Sequence, residues 1–239
     1  MGCQIHSLNP QLLYRTLPHS SRTKQLSLCF SSYNNLSEEN SISTATIKQT
    51  SEVYNVNFKT LGSCKLGISR YPDFEYNAAG GKGSGTGTRI LESDLNNEVS
   101  VDFDVETVYI PPLSTATTKF LGLPLPPFLK IDIVPEVFQG KINQESGKVD
   151  LKFKAKFLFS VGSIYKAPPL LVETVLTSEE SKGEIRNGRG EKLNEDRICR
   201  LVGVAKVEPI NDFFMDTFLS LPTECLADLN AIISFSTTV

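Results

Sequence analysis

The sequence predicts an all-β protein: a single antiparallel barrel or sandwich with one or two short helices, behind a disordered N-terminal leader. Three observations predict it. From Val53 onward, apolar and polar residues alternate with a period of two, the mark of strands with one buried and one wet face. Helical patterning is scarce. About eight strand candidates follow one another without a repeat period, which suits one layered or closed β domain over residues 53–239.

The elements follow in chain order. Residues 1–50 read as the leader. Positions 1–37 hold no Asp or Glu, yet carry Arg15, Arg22, Lys24 and many serines. Basic, hydroxylated and acid-free is the composition of an organelle transit peptide. There is no continuous apolar stretch of the secretory kind, so Asn35-Leu36-Ser37 is not expected to be glycosylated. Met1-Gly2-Cys3 misses the myristoylation pattern, because His6 stands where Ser or Thr is required. The expected location is the chloroplast, with the cytoplasm as the alternative if this segment carries no address.

Strands are expected at 53–59 and 63–68. Gly80-Gly81-Lys82-Gly83-Ser84-Gly85-Thr86-Gly87 reads as a flexible hairpin tip or lid. Glycine-rich turns can cradle phosphate, and Lys82 and Arg89 flank this one. It nevertheless lacks both the P-loop spacing and the strand–loop–helix setting. The cleanest strand is 99–109, with Val99, Val101, Phe103, Val105, Thr107 and Tyr109 on one face and Asp102, Asp104 and Glu106 on the other. Residues 113–121 form a weaker helix candidate.

Strands 128–134 and 137–143 come next. The turn Gln144-Glu145-Ser146-Gly147 then hands back to Val149 as a hairpin, leading into strand 151–161. On that strand Leu151, Phe153, Ala155, Phe157 and Phe159 share one face, while Lys152, Lys154 and Lys156 share the other. The acidic and lysine rows would suit cross-strand neighbours. Strand 170–176, a turn at Asn187-Gly188 and strand 198–207, with small Gly203 and Ala205, complete the run. Asn211-Asp212 can cap a short helix through Phe218 that stops before Pro222, and 231–236 is the last strand. A closed barrel is favoured because closure removes exposed edges. A barrel of this size has room for one small ligand.

Composition narrows the chemistry. The 239 residues are 40% hydrophobic and 21% charged, with a net charge of −3 and a pI near 5.5, so there is no basic face for nucleic acid. No run approaches the ~18 apolar residues of a membrane-spanning helix. Cys3, Cys29, Cys64, Cys199 and Cys225 form no CxxC pair and read as small buried hydrophobes in a reducing compartment. Only His6 and His19 are histidines. A Ser-His-Asp or Cys-His centre and a His-bearing zinc site are therefore outside the reach of the body, and neither a metal nor a cofactor is expected.

Catalysis would fall to other groups. Tyr109 ends the 99–109 face near a barrel mouth, and Tyr165 ends another strand. Glu173 shares a face with Leu171 and Val175. If that face points inward, burial would raise the carboxyl toward general acid–base use. Arg200 sits with Ile198 and Val202 under the same condition. Two apolar, proline-rich segments, 120–128 and 165–171, must be connections or edges. They can cover a cavity, touch a membrane or partner, or pack on the outside of the barrel.

Residues 58–74, 120–136 and 214–230 resemble a family of plant proteins usually predicted to be plastid-directed. The resemblance covers nearly all of the body, implies a plant origin, and carries over no functional residue because it holds no motif of known mechanism. In architecture, a transit-like leader before a cofactor-free barrel is similar to allene oxide cyclase and dirigent-type barrels, although none of their sequence motifs is present. That likeness implies a cofactor-free cyclase or isomerase. Its substrate would be a reactive terpenoid, such as an iridoid enol precursor, or an oxylipin, held folded in a dry cavity. The alternative is a non-catalytic plastid barrel that binds lipid or pigment or assists a thylakoid complex. Both readings expect a hydrophobic small molecule as partner, and both leave peripheral membrane contact and oligomeric state open.

Overall fold

A computed structural model of the chain describes residues 51–90 and 97–237. The leader lies outside them. The described residues form fifteen strands and one helix: β1 (Ser51–Thr60), β2 (Cys64–Ile68), β3 (Phe74–Tyr76), β4 (Lys82–Ile90), β5 (Glu98–Phe103), β6 (Thr118–Phe120), β7 (Leu123–Pro124), β8 (Leu129–Asn143), β9 (Val149–Val161), β10 (Tyr165–Lys166), β11 (Leu170–Thr177), β12 (Glu180–Lys182), β13 (Asn187–Arg189), β14 (Ile198–Val207), α1 (Phe213–Leu219) and β15 (Thr223–Thr237).

Eight strands close into an antiparallel ring in the order β1-β4-β5-β8-β9-β11-β14-β15, with β15 returning to β1. The expected all-β barrel is what forms. Its two halves are walled differently. β15 pairs with β1 through residues 231–237 and with β2 through residues 225–228. One half is thus completed by β1, β4 and β5. The other is completed by β2, β3, β6 and β7, and Leu113 bridges back to Ile131 on β8.

The first half is packed solid. Phe58, Phe103, Phe138, Ile142, Leu151, Leu201 and Ile233 are buried together, with Phe103 stacked on Phe138 at 4.5 Å and Phe58 edge-on to Phe138 at 5.1 Å. The rings fit because β4, the strand between β1 and β5, offers glycine beside them, with Gly83 opposite Phe58 and Gly85 opposite Phe103. Gly83, Gly85 and Gly87 alternate along it, and a Cβ at Gly87 would lie 2.9 Å from both Val56 and Val99. The glycine-rich stretch is therefore a barrel stave, not the expected hairpin tip or lid.

Other expectations also shift. Alternation over 99–109 suggested one strand, but pairing stops at Phe103. Asp104 there accepts the Glu106 N–H with its side chain and the Thr107 N–H with its carbonyl. This local turn outcompetes the ladder. The helix candidate at 113–121 is instead a bridge, a turn and β6. Thr117 Oγ1 accepts the Ser114 N–H and donates to the Pro112 carbonyl, which holds the turn.

The two strands expected at 128–134 and 137–143 are one, β8, with a bulge between Pro135 and Val137, the place in a strand that tolerates proline. β8 also separates the acidic row from the lysine row. Lys152 pairs with Glu173 at 2.8 Å, and Lys156 with Glu136 at 2.5 Å. The hairpin 144–147 and the Asp212-capped helix form as expected. Asp212 Oδ1 accepts the Met215 N–H at 2.9 Å.

Candidate functional site: an apolar cavity in the hollow half

The second half of the barrel encloses a cavity of about 510 Å³. Its walls explain why it stays open. Where the packed half fills its interior with phenylalanines, β14 and β15 here supply Gly203, Ala205, Cys225 and Ala227. The β2–β3–β6–β7 insertion also lengthens the perimeter, and barrel diameter grows with the number of staves. Phe153, Phe157 and Phe159 of β9 form one wall, and Met215 and Leu219 of α1 reach in from the end. Tyr71, Leu123, Pro124, Pro126 and Phe218 line the cavity while remaining exposed, so they mark its mouth.

Among the described residues no charged side chain lines this space. Its few polar atoms are accounted for. Thr174 Oγ1 donates to the Val204 carbonyl at 2.8 Å, and the Tyr71 hydroxyl donates to the Phe218 carbonyl at 2.7 Å. The Cys225 thiol is pushed up to about 11, chiefly by burial, so it is a neutral thiol at physiological pH. A pocket of this size and apolarity suits a small organic molecule, held by burial and shape rather than by hydrogen bonds.

The nominated residues lie elsewhere. Glu173 sits on the outer face of β11, exposed with Leu171 and Val175. The Lys152 ammonium, first by hydrogen bond and then by charge, holds its carboxyl below the usual glutamate range. That is the reverse of the inward-facing expectation, because Leu170, Val172 and Leu176 take the inner face. Tyr109 is half-exposed and exchanges backbone hydrogen bonds with Lys82, away from the cavity. Tyr165 packs between Phe159 and Phe214, at 6.1 and 5.5 Å, without lining the cavity. Burial and then the Asp212 carboxylate push its hydroxyl up to about 12. Arg200 pairs with Glu191 at 3.3 Å and Asp228 at 3.7 Å outside the barrel. The structure brings none of these four to the cavity wall.

The proline-rich segments fare differently. Phe120, Leu123, Pro124, Leu125 and Pro126 from the first, and Leu170 from the second, do line the cavity. The inward row of β9 and the small Gly203 and Ala205 were legible as a barrel face. Nothing local marked Leu66 and Phe74 as wall residues, since their place depends on β2 and β3 being inserted beside β15.

The β11–β14 seam borders the same space. Only Thr177 and Val202 pair across it. Beyond them the Val204 N–H donates to Ser181 Oγ, and its carbonyl accepts from Thr174. Among the described residues no group of three or more His, Cys, Asp or Glu is placed to hold a metal. Comparison with protein-family models, curated proteins and solved structures finds no match.

Proposed function

We propose that the barrel binds one apolar small molecule in the hollow half. The observation that carries this is a cavity of about 510 Å³, open at one mouth, with no charged wall residue among the described residues. Burial of apolar ligand surface provides roughly 25 cal/mol per Å², and the wall offers no ionised group that would have to be desolvated. The ligand class is a hydrocarbon-rich molecule, such as a terpenoid, oxylipin, lipid or pigment fragment.

A second reading is cyclisation of a reactive ligand by shape. Its support is the apolar, aromatic wall, with Phe74, Phe120, Phe153, Phe157, Phe159 and Phe218 around one space. Such a site would act by positioning alone, since it has no acid or base to contribute.

One substitution separates binding here from binding elsewhere. Ala205→Leu places a larger side chain into the cavity from β14. Titration with an uncharged naphthylamine fluorophore should show about tenfold weaker binding or worse, with an unchanged or raised melting temperature. Glu173→Gln should bind like the parent. Equal binding by Ala205→Leu and the parent would overturn the proposal. For the second reading, a reactive terpenoid enol is incubated with protein. Product ratios identical to those in buffer would eliminate cyclisation of that substrate.

A further inference from the structure

The exposed apolar residues are not scattered. Among the described residues, five large hydrophobic side chains are between 70% and 92% exposed: Leu121, Leu123, Phe128, Ile164 and Phe213. The next is 55%. All five belong to connections at one end of the barrel. Leu121 lies in the turn from β6 to β7, and Leu123 begins β7. Phe128 immediately precedes β8, Ile164 lies in the turn from β9 to β10, and Phe213 opens α1. These connections ring the cavity mouth, and Leu123 both projects outward and lines the cavity. Phe214 and Phe218 extend the same surface, stacked at 5.7 Å.

Two of these residues are held where packing alone would not put them. Leu121 and Phe128 have φ of 51° and 69°, the left-handed region that bulky side chains avoid and that costs of order 1 kcal/mol or more. That cost is borne at two exposed apolar positions of the same rim. Cations stand beside the tips in sequence: Arg70 next to Tyr71, Lys119 two before Leu121, and Lys166 two after Ile164. Among the described residues none of these three takes part in an ion pair, although Glu75 stands opposite Lys119 in the β3–β6 register. The acids near the mouth are engaged within the protein: Asp212 caps the helix, Asp216 accepts the Ile210 N–H at 2.9 Å, and Asp73 pairs with Arg186 at 2.6 Å.

We propose that this rim docks onto a lipid bilayer. The separate apolar tips enter the boundary between headgroups and acyl chains, the lysines and arginine meet headgroup phosphates, and the cavity mouth faces the apolar phase. Discrete protrusions among polar groups suit a fluid surface, where each tip is buried independently. The bilayer also stores the apolar molecules the cavity accepts. The proposal rests on the reading of the cavity as an apolar ligand site.

Flotation of the full chain with phosphatidylcholine vesicles, with and without phosphatidylglycerol, tests it. The parent protein should float with vesicles, more strongly with phosphatidylglycerol. The Phe128→Ser/Ile164→Ser/Phe213→Ser variant should float roughly tenfold less or worse, while keeping the parent melting temperature and fluorophore affinity. Three results would overturn docking: a parent that stays in the soluble fraction with both vesicle types, a variant that floats equally well, or a parent dimer that the triple substitution abolishes. The last would show the rim covered by a second copy. Loss of fluorophore binding with flotation intact would sink only the cavity reading.

Discussion

The most consequential single residue outside the cavity is Glu224. It is a buried glutamate, the second residue of β15, and its two carboxylate oxygens accept the N–H groups of Glu184, Ile185 and Arg186 at 2.8, 2.8 and 2.9 Å. Those three hydrogen bonds, against the opposing effect of burial, hold its carboxyl below the usual glutamate range. The same tip presents Arg186, which donates to the Ser69 carbonyl at 2.7 Å and pairs with Asp73 at 2.6 Å. Glu224 thus clamps the β12–β13 tip, and Arg186 ties that tip to the β2–β3 loop beside the cavity mouth. This also moves the turn: Asn187-Gly188 was expected to make it, but the carboxylate fixes it at 183–186. A carboxyl whose folded value is depressed stabilises the fold above its unfolded range, and that contribution fades as pH falls through the folded value. Glu224→Gln should therefore lower the melting temperature at pH 7, by about 2–3 kcal/mol in stability. It should also flatten the parent's loss of stability below about pH 5. Parallel melting-temperature curves against pH would refute the clamp. None of this was legible locally, because Glu224 meets its partners only after some 40 residues of chain have folded back.

At the scale of elements, glycine was read by its local habit and used for its size. Gly85 lies where β4 crosses close to β5, and a Cβ there would sit 2.1 Å from the Asp102 carbonyl oxygen. That is backbone, so nothing can swing aside. Gly85→Ala should cost about 3 kcal/mol by chemical denaturation. A loss under 0.5 kcal/mol would mean that β4 has another route past β5. The long strands were easier to read. β9 alternates cleanly because one face meets the interior along its length, whereas β14 buries Val202 on its outer face as well, against Gly188 of β13. β15 was seen only from 231 onward. Its first half carries the buried Glu224 and half-buried Asp228, whose carboxylates meet the 183–186 turn and Arg200 respectively. The helix was readable in full because its start depends on a side chain three residues from the N–H it caps.

For the molecule as a whole, the division into a packed and a hollow half governs both stability and binding. The packed half carries the phenylalanine cluster and unbroken pairing from β1 to β9. The hollow half contains the cavity and the β11–β14 seam, where side-chain hydrogen bonds replace most of the ladder. Local opening should concentrate there. In hydrogen exchange, amides of 99–103, 138–142 and 149–153 should be the slowest. Those of 170–174 and 203–207 should exchange faster and slow selectively when an apolar ligand is bound. Uniform exchange across both halves, with or without ligand, would contradict this division.

The amino-acid order by itself determined the β class, the alternation that assigns inner and outer faces on the longest strands, the capped helix and the lack of histidine chemistry in the body. Each of these depends on residues a few positions apart, through strand pleating, side-chain capping or side-chain type. Only the tertiary structure decided that the glycine-rich stretch is a stave, that Glu173 faces out, and that four short strands replace three long ones around a hollow. Those outcomes depend on which strands become neighbours. A period of two tells that a strand has two faces, but only closure of the ring tells which face is inside and how much room is left there.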